Sequence, residues 1–249
     1  MHIPDGFINA PVSIAAGALA VGAIAVSLRG ARTEVTEASA PMAGLTAVFV
    51  FAAQMVNFPV AAGTSGHLIG AALAAILIGP YAAVLAMTVV LTVQALVFAD
   101  GGLSALGLNL VNLAVLAVVA GWFTFRGVMW LVARQGTRRG ERRLGGEVRR
   151  PSPTRVGVAA GVAGFVSVLA AASGFIVEFV VGGNVPLTAE TVAAAMLGVH
   201  AVIGVGEGLI TALVVSAIVA VRPDLVYGLR SRRTAVAGPS AQAASRVTA

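Results

Sequence analysis

The stretch Gly66–Gly79, with the sequence GHLIGAALAAILIG, decides the fold of this chain. It contains no Asp, Glu, Lys or Arg, and most of its residues are Ala, Leu, Ile or Gly. A helix needs about 20 apolar residues to cross the hydrocarbon core of a bilayer, so by length alone this stretch could be re-entrant. Whether it crosses fixes the number of spans and the side of the membrane on which each connection lies.

The composition of the whole chain is that of an integral membrane protein. Of its 249 residues, 58% are hydrophobic and 10% are charged, whereas a soluble domain carries about 25% charged residues. All 16 basic residues are Arg, because the sequence contains no Lys, and it contains no Cys. The missing Lys excludes ATP hydrolysis by a P-loop and a lysine Schiff base. The missing Cys excludes disulfides, thiolate metal sites, iron–sulfur clusters and a cysteine nucleophile.

Six longer apolar stretches accompany Gly66–Gly79, and each is long enough to form a membrane helix. They run over Val12–Leu28, Pro41–Phe58, Tyr81–Phe98, Leu103–Phe125, Val156–Val181 and Thr191–Val221. The Arg residues fall into three groups: two follow the first stretch, nine lie from Arg126 to Arg155, and five lie from Arg222 to Arg246. Because Arg is enriched in cytoplasmic loops, all three groups are predicted to be cytoplasmic.

A count of seven spans places every Arg group on the same side. Four spans then separate the first group from the second, which requires Gly66–Gly79 to cross, and two separate the second from the third. We therefore predict an all-α integral membrane bundle of about seven helices, with the N-terminus outside and the C-terminus cytoplasmic. Residues 1–228 form this domain, including an Arg-rich cytoplasmic loop at about 126–155. Residues 229–249 are predicted to form a disordered cytoplasmic tail.

The first two residues offer an unusual set of nitrogen ligands. Met1 should be retained, because a bulky second residue normally blocks its removal, and its α-amine directly precedes His2. The amine, the deprotonated His2 amide and the His2 imidazole can close two small chelate rings in one plane. One further imidazole, for which His67 is the candidate, completes a square-planar set of four nitrogens that suits Ni(II) or Cu(II).

His67 follows a Gly-rich connection that allows the backbone to approach a buried object closely. The polar residues near it, Gln54, Asn57, Thr64 and Ser65, are candidates to support a site or to tie helices together. Two alternatives stand beside the metal site. One is a single His at the membrane interface, bonded to water or to a carbonyl, and the other is an ordinary disordered N-terminus.

A second polar cluster lies in the last apolar stretch. His200 and Glu207 are seven residues apart, about two helical turns, so they share one face of a helix. An ionisable residue inside a span is costly and should be paired or face a polar cavity. The cluster has two interpretations: a deeper metal or proton relay, or a hydrogen-bond cluster that fixes the bundle. Gln94, Asn109 and Asn112, in other spans, are more typical of ties between helices.

Six motifs occur in order along the chain: Met1–Gly6 (MHIPDG), Phe51–Val60 (FAAQMVNFPV), Gly63–Gly70 (GTSGHLIG), Gly79-Pro80, Phe98–Gly107 (FADGGLSALG) and His200–Thr211 (HAVIGVGEGLIT). Together they resemble the CbiM/NikM family, the substrate-binding membrane components of energy-coupling factor transporters for cobalt and nickel. The resemblance covers most of residues 1–228. The Arg-rich loop and the tail beyond about Arg230 look individual to this chain.

The resemblance implies a seven-helix bundle whose N-terminus inserts among the helices. It implies that metal is held by the terminal amine, the amide nitrogen and the imidazole of the first two residues, with one further His. Those positions match Met1, His2 and His67 here. It also implies a transmembrane coupling protein, cytosolic ATPase subunits and often a small accessory membrane subunit, in a prokaryotic cell membrane. ATP hydrolysis by partner chains agrees with the absence of Lys.

The sequence thus favours a metal-capturing subunit of an ATP-driven importer for Co(II) or Ni(II), without enzymatic activity, cofactor or nucleic-acid partner. An alternative is a stand-alone ion-coupled metal carrier that uses His200 and Glu207 as a proton path. A membrane hydrolase built on the same two residues is a third interpretation, which the scarcity of polar groups disfavours. Chains with this N-terminal motif handle both nickel and cobalt, so the sequence does not choose between them.

Overall fold

The computed structural model describes residues 1–37, 39–60, 64–138 and 152–230. Its helices are α1 (Ala10–Glu34), α2 (Ala40–Gln54), α3 (Ala71–Ile78), α4 (Pro80–Val97), α5 (residues 106–138), α6 (Pro153–Gly182) and α7 (Ala189–Val221). Helix α5 has three consecutive parts: an α-helical turn Leu106–Asn109, a π-helical stretch Leu110–Leu116 and an α-helix Ala117–Arg138. Two short strands, β1 (Asn57–Pro59) and β2 (Ser65–His67), form an antiparallel hairpin between α2 and α3. The 3₁₀ turns Pro223–Leu225 and Tyr227–Leu229 follow α7.

The predicted all-α membrane bundle of seven helices is confirmed in the described residues. Helices α1, α4, α5, α6 and α7 are long and apolar enough to cross a membrane. Large apolar side chains cover their outer faces, such as Ile14, Val202 and Val221, which are 72%, 74% and 77% exposed. Such a surface suits contact with lipid rather than with water. The chain is a multi-pass membrane protein, and the orientation of its termini stays a prediction.

The stretch Gly66–Gly79 forms a helix that is shorter than predicted. Helix α3 has 8 residues, about 12 Å at 1.5 Å per residue, whereas a hydrocarbon core is about 30 Å thick. Gly70 and Gly79 flank it with φ angles of 77° and 100°, which favour glycine. All of its residues are buried, so neighbouring helices surround it. The prediction of a full crossing helix here is wrong in length, because residues 66–70 form the end of β2 and a loop.

The first part of the predicted Arg-rich loop, residues 126–138, is helical. Helix α5 continues to Arg138, past the predicted end of the span at Phe125. Arg134 lies over the Trp130 ring, 4.3 Å from its centroid, a cation–π contact that suits a membrane interface. The remainder of the predicted loop, residues 139–151, and the tail from residue 231 onward lie outside the described residues.

The π-helical stretch of α5 begins directly after Asn109 and contains Asn112, and these two side chains bind different parts of the molecule. π-helical turns are rare and often occur at functional sites. Asn112 donates to Glu178 Oε2 of α6 at 2.6 Å, so it ties two helices together as predicted. A Cβ on Gly174 would lie 2.4 Å from Asn112 Oδ1, which explains the glycine. Asn109, one turn earlier, bonds instead to Ile3 of the N-terminal segment.

Helices α6 and α7 pack closely through small residues. A Cβ on Gly161 would lie 2.9 Å from Gly208 O, and a Cβ on Gly208 would lie 2.8 Å from Gly161 O. Such close backbone approach is typical of membrane helices, where packing rather than the hydrophobic effect drives association. The contact turns one face of α7 toward the bundle interior. His200 and Glu207 both lie on that face and are buried.

Candidate metal centre

The segment before α1 folds into the bundle. Met1, His2 and Ile3 are 1%, 3% and 0% exposed, although a chain terminus is usually solvated. The Ile3 N–H donates to Asn109 Oδ1 at 2.8 Å, and Ile3 O accepts from the Gly102 N–H at 2.9 Å. Asn109 Nδ2 also donates to Ile3 O, at 3.3 Å. One amide side chain thus binds both polar backbone groups of Ile3, and the alternative of a disordered terminus is wrong.

Two further contacts hold the segment where it leaves the bundle interior. Asp5 Oδ1 accepts from the Ser104 N–H at 2.7 Å and from the Ser104 hydroxyl at 2.5 Å. These bonds lower the pKa of Asp5 below its ordinary value. The Phe7 ring packs against Phe175 and Phe179, with ring centroids 5.6 Å and 5.5 Å apart. The terminus is therefore held by polar and apolar contacts together.

His67 lies at the end of β2, opposite Asn57 in the hairpin register, and its side chain is fully buried. The His2 imidazole stacks on that of His67, with ring centroids 4.5 Å apart and ring planes at 25°. The inserted terminus and the hairpin therefore bring Met1, His2 and His67 together. These are the three residues that the sequence predicts as metal ligands.

The electrostatics of the site favour neutral nitrogen atoms. Burial lowers the pKa of the Met1 amine well below its ordinary value, and the nearby Asp100 carboxylate opposes that shift. Burial also lowers the pKa of His67 well below its ordinary value, and the amine, His2 and His200 lower it further. The pKa of His2 is lowered too, again by burial, against a raising contribution from Asp100. Neutral amines and imidazoles present the lone pairs that a transition metal binds.

The His67 ring has one nitrogen that is hydrogen-bonded and one that is not. His67 Nδ1 lies 2.8 Å from Leu68 O. Because a carbonyl only accepts, Nδ1 carries the hydrogen and Nε2 keeps its lone pair. Within the described ranges, His67 Nε2 has no hydrogen-bond partner. Buried polar atoms are normally paired, so an unpaired ring nitrogen beside the stacked His2 ring indicates a site for a ligand.

Asp100 contacts the other nitrogen of His2. Its Oδ1 lies 3.0 Å from His2 Nδ1, and its Oδ2 accepts from Asn57 Nδ2 at 3.1 Å. A six-membered chelate ring with the His2 amide needs Nδ1, because Nε2 lies farther along the ring. Chelation by the terminus would therefore exchange the contact with Asp100 for a contact with the ion. The carboxylate would then remain beside a divalent charge.

Ser65 and Thr64 lie in and before the strand that carries His67. Ser65 Oγ lies 3.5 Å from the His2 backbone nitrogen, the atom that would deprotonate to bind metal. Thr64 is buried, and its carbonyl accepts from the Val60 N–H at 3.0 Å. Ser65 therefore contacts the predicted ligand set, whereas the Thr64 backbone closes the hairpin.

Gln54 and Glu207 contact the backbone directly after His67. Gln54 Nε2 donates to Ile69 O at 2.7 Å. Glu207 Oε2 accepts from the Ile69 N–H at 2.5 Å, and Glu207 Oε1 accepts from the Gly70 N–H at 2.9 Å. Both side chains therefore hold the loop between His67 and α3.

His200 lies on the same face of α7 as Glu207. Its Nδ1 is 2.8 Å from Met196 O, one turn earlier, and its buried Nε2 is unpaired within the described part of the chain. It is close enough to His67 to lower the pKa of that residue. The structure thus gathers all three histidines of the chain in one region.

Side chains alone do not form a metal site in the described residues, where no group of three or more His, Cys, Asp or Glu is placed to hold an ion. The backbone nitrogens of the terminus would have to contribute. A cavity of about 240 Å³ reaches this point, and it is lined by His2, Pro4, Asp5, Ser65, Ala99, Asp100, Gly101 and Gly102. It gives a hydrated ion a polar space beside the terminus.

Three residues that build the site were not predicted as part of it, namely Asp100, Gly102 and Asn109. Asp100 and Gly102 belong to the motif Phe98–Gly107, which was the available signal. A Cβ on Gly102 would lie 2.3 Å from Asp5 N, so glycine leaves the room through which the terminus passes. Asn109 is polar and lies in an apolar span, but its partner is the backbone of Ile3, which only the folded terminus brings near.

Comparisons with known proteins give the family. Residues 2–225 match the model described as CbiM, cobalt uptake substrate-specific transmembrane region. A chain of Haloquadratum walsbyi named as a metal transport protein is 41% identical over 232 residues, covering 91% of this chain and 94% of that one. A chain of Archaeoglobus fulgidus named as a fused nickel transport protein, NikMN, is 36% identical over 226 residues, covering 91% of this chain and 68% of that one. A crystal structure of a truncated transition metal transporter matches with a TM-score of 0.72 and 27% identity, over 88% of this chain and 99% of that one. The chain belongs to the CbiM family of cobalt uptake substrate-specific transmembrane regions.

Proposed function

We propose that this protein is the metal-capturing subunit of an energy-coupling factor importer for Ni(II) or Co(II). The observation that carries the proposal is the burial of Met1 and His2 against His67. Burial of the terminal amine and of the imidazole nitrogens is unfavourable unless they find a partner, because desolvating polar groups is costly. The partner that fits several neutral nitrogens and no thiolate is a borderline transition metal.

The ligand set we propose consists of four nitrogens from three residues. They are the Met1 amine, the deprotonated His2 amide, His2 Nδ1 and His67 Nε2. A planar set of this kind favours Ni(II), while Co(II) is accommodated by the same donors. Asp100 then lies beside the ion and offsets part of its charge. Ser65, next to the His2 amide, is placed to contact that nitrogen as it loses its hydrogen.

The energy for transport would come from other chains. The chain has no Lys and hence no P-loop, so we propose cytosolic ATPase subunits that act through a transmembrane coupling protein. A small accessory membrane subunit fits the fused name of the Archaeoglobus relative. In the proposed orientation the terminus faces the outside of a prokaryotic cell membrane, where the ion arrives, and the Arg groups face the cytoplasm.

The test is an added residue before Met1. The extension moves the free amine one residue away from His2 and places an extra residue in a closed space, so the two chelate rings no longer form. We expect one Ni(II) or Co(II) per chain for the protein with a native terminus, and no tight binding for the extended protein. Metal analysis and titration of both proteins with Ni(II), Co(II) and Cu(II) give the result. Equal affinity of the two proteins would refute the proposed site.

The stand-alone carrier has no observation in its favour. Both carboxylate oxygens of Glu207 accept from backbone N–H groups, an arrangement that holds a loop rather than one that moves protons. Because both of its oxygens are already hydrogen-bonded, Glu207 is also poorly placed to act as the base of a hydrolase with His200. Metal uptake by the purified chain alone in vesicles, driven by a pH gradient, would support the carrier hypothesis instead.

A further inference from the structure

The peptide between Leu68 and Ile69 is bonded at both ends to side chains that matter to the metal centre. Its carbonyl, Leu68 O, accepts from His67 Nδ1 at 2.8 Å. Its N–H, on Ile69, donates to Glu207 Oε2 at 2.5 Å. The C=O and N–H of one trans peptide point in opposite directions. Glu207, the peptide and the His67 ring therefore form one continuous chain of hydrogen bonds.

The next peptide is held just as firmly. The Gly70 N–H donates to Glu207 Oε1 at 2.9 Å, and Ile69 O accepts from Gln54 Nε2 at 2.7 Å. Glu207 is 2% exposed and Gln54 is 0% exposed. Side chains from α7 and α2 thus fix two successive peptides, so the loop after His67 has little freedom to move.

We propose that Glu207 is a positioning residue for the metal, acting on His67 through the Leu68–Ile69 peptide, with Gln54 as its support. This inference rests on the proposed function. In many metal sites the ligating His donates its second ring N–H to a carboxylate, which fixes the tautomer and strengthens the ligand. Here one peptide group stands between the carboxylate and the ring.

Three physical effects follow from the arrangement. The bond to Leu68 O fixes hydrogen on His67 Nδ1 and leaves Nε2 for the ion. A carboxylate on the N–H side polarises the peptide, so its carbonyl becomes a stronger acceptor, since hydrogen bonds in a chain reinforce one another. Both oxygens of Glu207 are needed, because each accepts from a different N–H that would otherwise be unsatisfied inside the protein.

The test compares Ni(II) binding in four proteins with a native N-terminus: wild type, Glu207→Gln, His67→Ala and the double variant. A carboxamide offers one oxygen in place of two and turns its NH₂ group toward a backbone N–H. We expect Glu207→Gln to weaken Ni(II) binding by about 10- to 100-fold. Losses of this size follow when other metal sites lose a residue that hydrogen-bonds to a ligand without binding the metal itself. We also expect its visible Ni(II) absorption band to move to longer wavelength, since a weaker or displaced imidazole lowers the ligand field.

The double variant separates this role from a general loss of stability. If Glu207 acts through His67, Glu207→Gln changes affinity less than about twofold once His67 is Ala. An equal loss in both backgrounds, or an unchanged affinity and band in the single variant, would overturn the inference. Wild-type protein that binds neither Ni(II) nor Co(II), or that binds them equally after N-terminal extension, would instead overturn the proposed function; if it binds Co(II) alone, the same four proteins are compared by their Co(II) affinity.

Glu34→Gln is the matched control. Glu34 is 2% exposed and accepts from the Ala82 N–H at 2.8 Å at the start of α4, so the chemical change is the same at a different helix. We expect its Ni(II) affinity and absorption band to equal those of wild type. If Glu207→Gln does not fold, Gln54→Met gives the second measurement. It should weaken binding in the same His67-dependent way, and an effect independent of His67 would count against the inference.

Discussion

Replacing Gly102 by Ala tests whether the path of the N-terminus builds the metal centre. The added Cβ would lie 2.3 Å from Asp5 N and 2.5 Å from Asp5 Oδ1. The first of these atoms is backbone, so no side-chain rotation relieves the clash. Gly102 does not have a left-handed φ angle, unlike its neighbour Gly101. The substitution therefore acts by contact alone.

The size of the effect follows from the distances. Ordinary van der Waals contact begins at 3.4 Å, so the distance between Asp5 N and the methyl group must increase by about 1.1 Å. The bond from the Gly102 N–H to Ile3 O, now 2.9 Å, would stretch to about 4 Å if the segment took up that shift, and would be lost. Metal–nitrogen bonds tolerate about 0.2 Å around their ideal length of about 2 Å. We expect Ni(II) affinity to fall at least about 100-fold, which is about 2.8 kcal/mol.

The assay is competition for Ni(II) between the protein and a chelator of known affinity, with thermal unfolding measured in parallel. Gly44→Ala is the control, because a Cβ on Gly44, in α2, meets no atom within 4 Å. It should bind Ni(II) as wild type does. A folded Gly102→Ala protein with affinity within threefold of wild type would refute the reasoning, since the terminus would then reach the site by a different path.

Two further predictions concern the same segment. Asn109→Ala removes both bonds to Ile3 and leaves the buried Ile3 N–H unsatisfied, which should lower the free energy of unfolding by about 1–3 kcal/mol; thermal unfolding measures this, and an unchanged midpoint would contradict it. It should also weaken Ni(II) binding, whereas Asn112→Ala, whose side chain bonds to Glu178 instead, should not. Burial lowers the pKa of the Met1 amine. Protons should therefore compete with Ni(II) for this amine only at a lower pH than they do for the terminal amine of a free peptide MHIPDG. Ni(II) loading followed against pH should therefore fall off in acid for both, and at lower pH for the protein. Coincident curves would contradict the lowered pKa of the amine.

The fold could be predicted from the sequence to the level of helix number, because lipid demands apolar helices and Arg marks their ends. The short helix α3 and the hairpin before it could not be predicted. Ala71–Ile78 is apolar on every side, so its periodicity does not distinguish a lipid-facing span from a short helix surrounded by protein. The hairpin of residues 57–59 and 65–67 depends on pairing across an irregular connection. Neither segment has the alternation of a typical strand.

Three of the four proposed ligands could be proposed from the sequence because their chemistry is local, and the set stays a prediction. An amine, an amide and an imidazole at the start of a chain are adjacent whatever the fold, and a chain without Cys offers nitrogen by default. The residues that surround these ligands come from distant parts of the sequence. Asp100, Gly102 and Asn109 act on residues about a hundred positions away along the chain. Only the inserted terminus makes them neighbours. The resemblance to the CbiM/NikM family implies that insertion, but not which residues the terminus meets.

Glu207 shows how a correct pattern can still mislead about chemistry. Its spacing from His200 placed both on one face of α7, and both do face the interior. A buried carboxylate then invites a proton path or an ion site, since its charge needs compensation. The partners that it found are the N–H groups of Ile69 and Gly70, just before the first turn of a helix that begins inside the bundle. A helix that begins at a membrane surface can leave such groups to water, whereas α3 cannot. The shortness of α3 therefore requires an acceptor at this position, and the same acceptor holds the peptide to which His67 is bonded.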